Sequence, residues 1–173
     1  MSSERKQPLE NRLFLKDESA TEAFGKTLAE LSLGKGIITL SGDLGVGKTT
    51  LSRGLIRAFG HTGAVKSPTY TIVEPYDFSD KRIMHFDLYR LEDPEELEYL
   101  GFRDYLDDNT LCLIEWPEKA QGALPQVDLK LTLSYNPNEG RYIHWDSNSS
   151  HGHSIHQDLT KHYSLALSSA DQQ

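Results

Sequence analysis

Ile37-Ile38-Thr39-Leu40 leads through Ser41 into Gly42-Asp43-Leu44-Gly45-Val46-Gly47-Lys48-Thr49, and Leu51, Leu55 and Phe59 follow at helical spacing before Gly60. The apolar run reads as a buried strand. The octapeptide fits the pattern G-x-x-x-x-G-K-[ST] at every fixed position, and it stands where that pattern carries meaning, between a strand and a helix. Its glycines let successive backbone amides turn inward and approach phosphate oxygens with no Cβ in the way. The helix that follows offers unpaired amides and the positive end of its dipole. Lys48 adds a point charge suited to β and γ phosphates, and the Thr49 hydroxyl is a ligand of the kind magnesium takes.

Working outward, Arg12 to Leu15 fits a short edge strand. Ser19-Ala20-Thr21-Glu22 fits a capping box opening a helix through Ala20, Phe24, Leu28 and Leu31. Tyr70 to Tyr76 and Arg82 to Tyr89 read as strands joined by the short loop Asp77 to Lys81. Asp93-Pro94-Glu95-Glu96 starts a helix that ends near Gly101. Leu111 to Trp116 is another buried strand, and Asp128 to Tyr135 with Arg141 to Trp145 forms a second hairpin. Strands and helices in this order predict an α/β chain. Residues 1–11 read as a flexible lead-in and 12–146 as the ATPase domain. Residues 147–173 read as a polar tail, partly disordered or weakly helical, with one sparse stripe at Leu159, Tyr163 and Leu167.

The 173 residues carry 18 Lys plus Arg against 26 Asp plus Glu, a formal net charge of −8, with 37% hydrophobic and 25% charged residues. This suits one soluble globular domain. Its acidity argues against gripping nucleic acid by overall charge. The single cysteine, Cys112, lies in an apolar run and reads as an inert buried thiol, so no cysteine zinc site is expected. No run approaches the roughly 20 apolar residues of a membrane helix. Met1 to Asn11 has no apolar signal core. The histidines of the tail, His151, His153, His156 and His162, have no acidic or cysteine co-ligand pattern and read as solvated.

A phosphate loop calls for a carboxylate on the magnesium side, and α/β folds place such groups at strand ends. Glu115 follows Leu111-Cys112-Leu113-Ile114, and Asp87 follows Ile83-Met84-His85-Phe86. Glu115 has the stronger case, since four apolar residues deliver it to the exit of a buried strand. His85 shares a face with Asp87, and a packed strand histidine is preferred to a dyad. Asp87 is followed by Leu88-Tyr89-Arg90, not by the glycine of a GTPase switch, and Thr160-Lys161-His162-Tyr163 lacks the guanine-reading aspartate. ATP is therefore favoured over GTP.

The ordered set of the phosphate loop, Lys66-Ser67-Pro68-Thr69-Tyr70-Thr71, His85-Phe86-Asp87-Leu88-Tyr89-Arg90-Leu91, Asp93-Pro94-Glu95-Glu96-Leu97 and Ile114-Glu115-Trp116-Pro117-Glu118 closely resembles the bacterial TsaE (YjeE) family. That family supplies the ATPase subunit of tRNA threonylcarbamoyladenosine biosynthesis. The resemblance runs from about Leu13 to about Tyr135. It implies a P-loop NTPase fold, α/β with a central mixed β-sheet flanked by helices, and a cytoplasmic protein that hydrolyses ATP weakly alone and faster with its synthase partners, the TsaD and TsaB type subunits. Those partners modify the adenosine beside the anticodon in tRNAs reading ANN codons. The implied role is to act on that assembly, not to transfer the group, with tRNA contacted indirectly.

Carried over by residue, the resemblance implies that Asp43, Leu44, Gly45, Val46, Gly47, Lys48, Thr49 and Thr50 bind the nucleotide, and that Thr49 and Glu115 hold Mg²⁺. Ser67-Pro68-Thr69 is similar to a switch loop, with Thr69 or Thr71 near the γ-phosphate. Asp87 corresponds to an essential acid, and Lys48, Asp87 and Thr69 form the catalytic set. Trp116 would lie beside the nucleotide, with a core aromatic as the alternative. Glu18, before the first helix, would contact the nucleoside. Two other functions stay open at this point: a small-molecule kinase, which an arginine-rich lid would favour, and a nucleotide-dependent adaptor that needs no turnover.

Overall fold

The computed structural model describes residues 12–170; the expected lead-in, 1–11, lies outside the described residues. Seven strands form one sheet: β1 (Arg12–Leu15), β2 (Gly36–Ser41), β3 (Val73–Asp77), β4 (Arg82–Asp87), β5 (Thr110–Glu115), β6 (Leu129–Tyr135) and β7 (Arg141–Ser147). Five helices accompany them: α1 (Glu18–Ser32), α2 (Lys48–Ala58), α3 (Glu96–Tyr99), α4 (Ser150–His162) and α5 (Ser164–Ala170). The strand order is β1-β7-β6-β2-β5-β4-β3. The centre, β6-β2-β5-β4, is parallel; β7 on one side and β3 on the other run against it, and β1, antiparallel to β7, runs with it. This is the mixed sheet expected from the sequence, with β1 at its edge.

The central strands are apolar on both faces because both faces are covered. Ile38 and Leu40 of β2, Ile83 of β4, and Leu111 and Leu113 of β5 pack with Phe24, Leu28, Leu51 and Leu55 of α1 and α2. Ile37, Met84, Phe86, Cys112 and Ile114 face the other way, against Leu97, Phe102 and Ala120. Burial pushes the Cys112 thiol up to about 12, which makes it the unreactive residue expected.

Two glycines set how closely α1 and α2 cross. A Cβ on Gly25 would lie 2.2 Å from the Leu51 carbonyl oxygen, and one on Gly54 would lie 2.2 Å from that of Glu22. The backbones touch where any side chain would part them, so α1 and α2 pack on each other in direct contact.

Several boundaries differ from the sequence reading. Asp17, not Ser19, caps α1: its Oδ1 accepts from the Ala20 amide at 2.8 Å. The Asp17 carboxylate, two residues earlier, satisfies a first-turn amide with a charged acceptor, so the helix starts before Ser19. The strand expected from Tyr70 begins only at Val73, because Thr69 to Ile72 are turned and the Ile72 amide donates to the Pro68 carbonyl. Of the two expectations for the tail, partly disordered or weakly helical, the structure shows helix, in α4 and α5. Ser149 caps α4 by accepting from the Gly152 amide, and its hydroxyl donates to Asp128 at 2.6 Å. Ile155 and Leu159 are buried in the main core, and Tyr163 stacks on Phe24. The sparse apolar stripe is the packed face of a helix whose other faces are polar.

Candidate functional site

The parallel strands end together, and the site is built on those ends. Asp87 and Glu115 are the last residues of β4 and β5 and stand opposite each other in register. β2 ends beside them and passes into the glycine loop, which delivers Lys48 as the first residue of α2. These elements enclose a cavity of about 270 Å³ lined by Leu44, Gly45, Gly47, Lys48, Thr49, Thr50, Ser67, Thr69, Asp87, Tyr89, Glu115 and Trp116.

The loop has the backbone shape that the octapeptide demands. Gly47 has φ 120°, a conformation for which a side chain is poorly suited, and a Cβ there would sit 2.6 Å from Arg141 Nη1. Arg141 Nη1 donates to the Val46 carbonyl at 3.0 Å, and the Tyr135 hydroxyl donates to that of Leu44 at 2.8 Å. Both come from the β6–β7 hairpin. Turning these carbonyls outward leaves the loop amides free to face the cavity.

Lys48 is buried with its ammonium group on the concave side of the loop. Nζ donates to the carbonyls of Gly42 and, at 3.2 Å, Asp43, and lies 3.8 Å from the centre of the Trp116 ring. Burial lowers its pKa from the ordinary lysine value, opposed by the charges of Glu115, Glu118, Asp87 and Asp43. Trp116 adopts a left-handed backbone, φ 58°, as the chain leaves β5 for the short turn Pro117–Ala120. It is half-buried and also packs on Tyr89 with ring centroids 5.0 Å apart. It lines the cavity and does not fill the core interior.

Two hydrogen-bonded groups occupy the floor. The Thr49 hydroxyl lies 3.2 Å from Glu115 Oε1 and 3.5 Å from Oε2, so the two residues expected to hold a cation are in contact. Glu115 Oε2 is also 2.5 Å from His85 Nε2, and both side chains are buried. The second group centres on Asp87. Its Oδ2 accepts from Ser67 Oγ and, at 3.2 Å, from Thr69 Oγ1, while Oδ1 accepts from the Tyr89 amide at 3.0 Å.

Not every sequence candidate reaches the cavity. Thr69 lines it, whereas Thr71 lines a neighbouring one beside Lys66 and Tyr76. Val46 is fully buried and acts through its carbonyl, and Asp43 contributes its carbonyl to Lys48. Glu18 is exposed at the first position of α1, not in a loop before it, and does not line the cavity. His85 is a packed strand histidine, as read, but its partner is Glu115 and not Asp87. Tyr89, Tyr135 and Arg141 were not singled out. Alternation marks the face His85 occupies, yet only strand register brings Glu115 to it. For Arg141, nothing local in the sequence points to the loop.

The donor set suits a magnesium-bound triphosphate. Thr49 and Glu115 are hard oxygen ligands, and a cation that completes its shell with water and phosphate needs few side chains. Among the described residues, no group of three or more His, Cys, Asp or Glu side chains gathers as a metal cage.

Residues 15–143 match the family model described as "Threonylcarbamoyl adenosine biosynthesis protein TsaE". The chain belongs to the TsaE family. A TsaE relative from Haemophilus influenzae is 53% identical over 127 residues, covering 70% of this chain and 80% of the relative. A Bacillus subtilis TsaE is 32% identical over 146 residues, covering 84% and 91%. Both are named tRNA threonylcarbamoyladenosine biosynthesis protein TsaE. The crystal structure of Bacillus subtilis YdiB superposes with a TM-score of 0.73 at 27% identity, covering 87% of this chain and 94% of that one. The TsaE match includes every cavity residue and ends at Ile143, inside the first half of β7 and before α4. Among the described residues, no helix is long and apolar enough to cross a membrane.

Proposed function

We propose that this chain binds ATP with Mg²⁺ at the glycine loop and hydrolyses it slowly, as the nucleotide-driven subunit of tRNA threonylcarbamoyladenosine biosynthesis. Its hydrolysis serves the partner assembly of TsaD and TsaB type subunits, which carry out the transfer, and tRNA is reached through them. The observation that supports this best is the convergence of the loop, Lys48, the Thr49–Glu115 pair and Asp87 on one cavity in a TsaE chain.

Each residue then has a task. The loop amides accept the phosphate oxygens, and Lys48 leaves the carbonyls of Gly42 and Asp43 for the β and γ phosphates. Thr49 and Glu115 hold the cation, which when bound offsets the charge on the phosphates. Asp87 accepts from Thr69 and Ser67 and orients the water side of the cavity. Leu44, Gly45, Gly47 and Thr50 shape the phosphate side, while Trp116 and Tyr89 offer ring faces at its rim. Among the described residues no arginine lines the cavity, and a transition-state charge supplied by a partner agrees with low activity of the isolated chain.

Hydrolysis assays on the purified chain test this reading. Turnover is expected to require Mg²⁺, to rise when the partner subunits are added, and to fall by about 10²- to 10³-fold in Lys48→Ala and Glu115→Ala. Equal turnover in those variants, or no heat on mixing folded protein with ATP and magnesium, overturns it. Transfer of the γ-phosphate to a metabolite would establish a kinase instead. Repeated rounds of tRNA modification with a non-hydrolysable analogue would establish an adaptor.

A further inference from the structure

Among the described residues the buried lysine, histidine and carboxylate side chains are Lys48, His85, Asp87 and Glu115. Three have tasks in the reading above. His85 does not, and its surroundings are specific. It stands on β4 opposite Leu113, two residues before the Asp87–Glu115 register pair. Its side chain is fully buried, on the sheet face that carries Ile83 and looks toward α1 and α2.

Nε2 lies 2.5 Å from Glu115 Oε2, and buried Nδ1 has no hydrogen-bond partner among the described residues. A proton on Nδ1 would be a buried donor without an acceptor, so the hydrogen-bond pattern assigns the proton to Nε2, where it is donated to the carboxylate. Glu115 is thereby held from two sides. His85 takes Oε2, and the Thr49 hydroxyl lies nearest Oε1. Without the imidazole, one oxygen of a buried carboxylate would lose its donor, and the group could turn about its terminal bond toward some other one.

We infer that His85 is a positioning residue for Glu115: its Nε2–H, donated to Oε2, holds the other carboxylate oxygen toward Thr49 and the magnesium ion of the bound nucleotide. This rests on the Mg²⁺-ATP reading. His85 itself touches neither nucleotide nor metal. Partners that orient a metal ligand commonly matter about 10- to 100-fold for metal affinity.

The test separates reach from bulk. In His85→Gln the amide nitrogen can occupy the place of Nε2. In His85→Asn it falls near Nδ1 and cannot reach Glu115, and His85→Leu has no donor. The full chain is titrated with Mg²⁺ in the presence of ATP, and ATP binding is measured again in a chelator. Paramagnetic resonance of Mn²⁺ reports the bound cation directly. His85→Asn and His85→Leu are expected to raise the half-saturating Mg²⁺ by about 10- to 100-fold while metal-free ATP binding stays unchanged. His85→Gln is expected to recover most of the loss and to keep the wild-type Mn²⁺ signal.

An unchanged Mg²⁺ requirement in His85→Asn overturns the inference. So does an equal loss in Gln, Asn and Leu variants that extends to metal-free ATP, since that is the mark of packing alone. If His85→Leu does not fold, the Asn and Gln pair still decides. A wild-type chain that binds no ATP with or without Mg²⁺ brings down the reading beneath, and that result is distinct from normal wild-type binding with indifferent variants.

Discussion

The two walls of the cavity are held in opposite ways. The glycine loop is anchored through its own carbonyls, at Val46 by Arg141 and at Leu44 by Tyr135, and both anchors sit on the β6–β7 hairpin. The facing segment, residues 66–72, is anchored by side chains, with the hydroxyls of Ser67 and Thr69 both on one oxygen of Asp87. Its other ties are few. Ile72 exchanges backbone bonds with Pro68 and Asp87, and Arg90 covers the exposed ring of Tyr70. One wall is a cradle whose shape exists before any ligand arrives. The other is a strap whose hold depends on a carboxylate that also faces the cavity. A ligand that engages Asp87 therefore competes with the strap's own anchors, while a phosphate on the loop disturbs only the resting bonds of Lys48.

Breaking the strap's anchor should give the largest effect. Asp87→Ala removes the shared acceptor, and ATP turnover should drop by about 10²-fold. Hydrogen exchange should rise over 66–72 and not over 42–49. A uniform rise over both walls would erase the contrast. A smaller effect should come from the cradle's brace. Arg141→Ala removes a charge-assisted bond to the Val46 carbonyl and should cost about 1.5 kcal/mol in denaturant unfolding. Exchange should then rise in the loop and not in the strap.

The smallest effect concerns Ile72, a β-branched residue at φ 70°. Glycine there relieves a left-handed strain of about 1–2 kcal/mol but adds chain entropy of about 0.5–1 kcal/mol and forfeits some packing. Ile72→Gly should therefore unfold within about 1 kcal/mol of wild type. A large loss would show that the strap is held by its apolar contacts more than by Asp87.

How far these walls were legible in the sequence follows from the same difference. The cradle's position is written locally, in glycine spacing, Lys48 and Thr49, although its braces Arg141 and Tyr135 come from the distant β6–β7 hairpin. Asp87 and Glu115 were legible because apolar runs deliver acids to strand ends. The strap was read as a strand from Tyr70, since Tyr70-Thr71-Ile72-Val73 has strand composition. Bonds from Pro68 and Asp87 outweigh that propensity and keep it turned. The tail was legible only as a sparse stripe for a related reason. Leu159, Tyr163 and Leu167 are a weak signal alone, and only the core beside Phe24 and Trp145 gives them something to cover.

The sequence by itself determined the phosphate-loop class of the fold, the glycine loop between a strand and a helix, and the family. All of these rest on short-range patterns, where neighbouring residues fix one another's backbone. Only the tertiary structure decided that His85 belongs to Glu115, that Arg141 braces the loop from 95 positions away, and that the last described helices close the core. Those contacts depend on strand order and register, which are settled by how the whole chain buries its apolar surface.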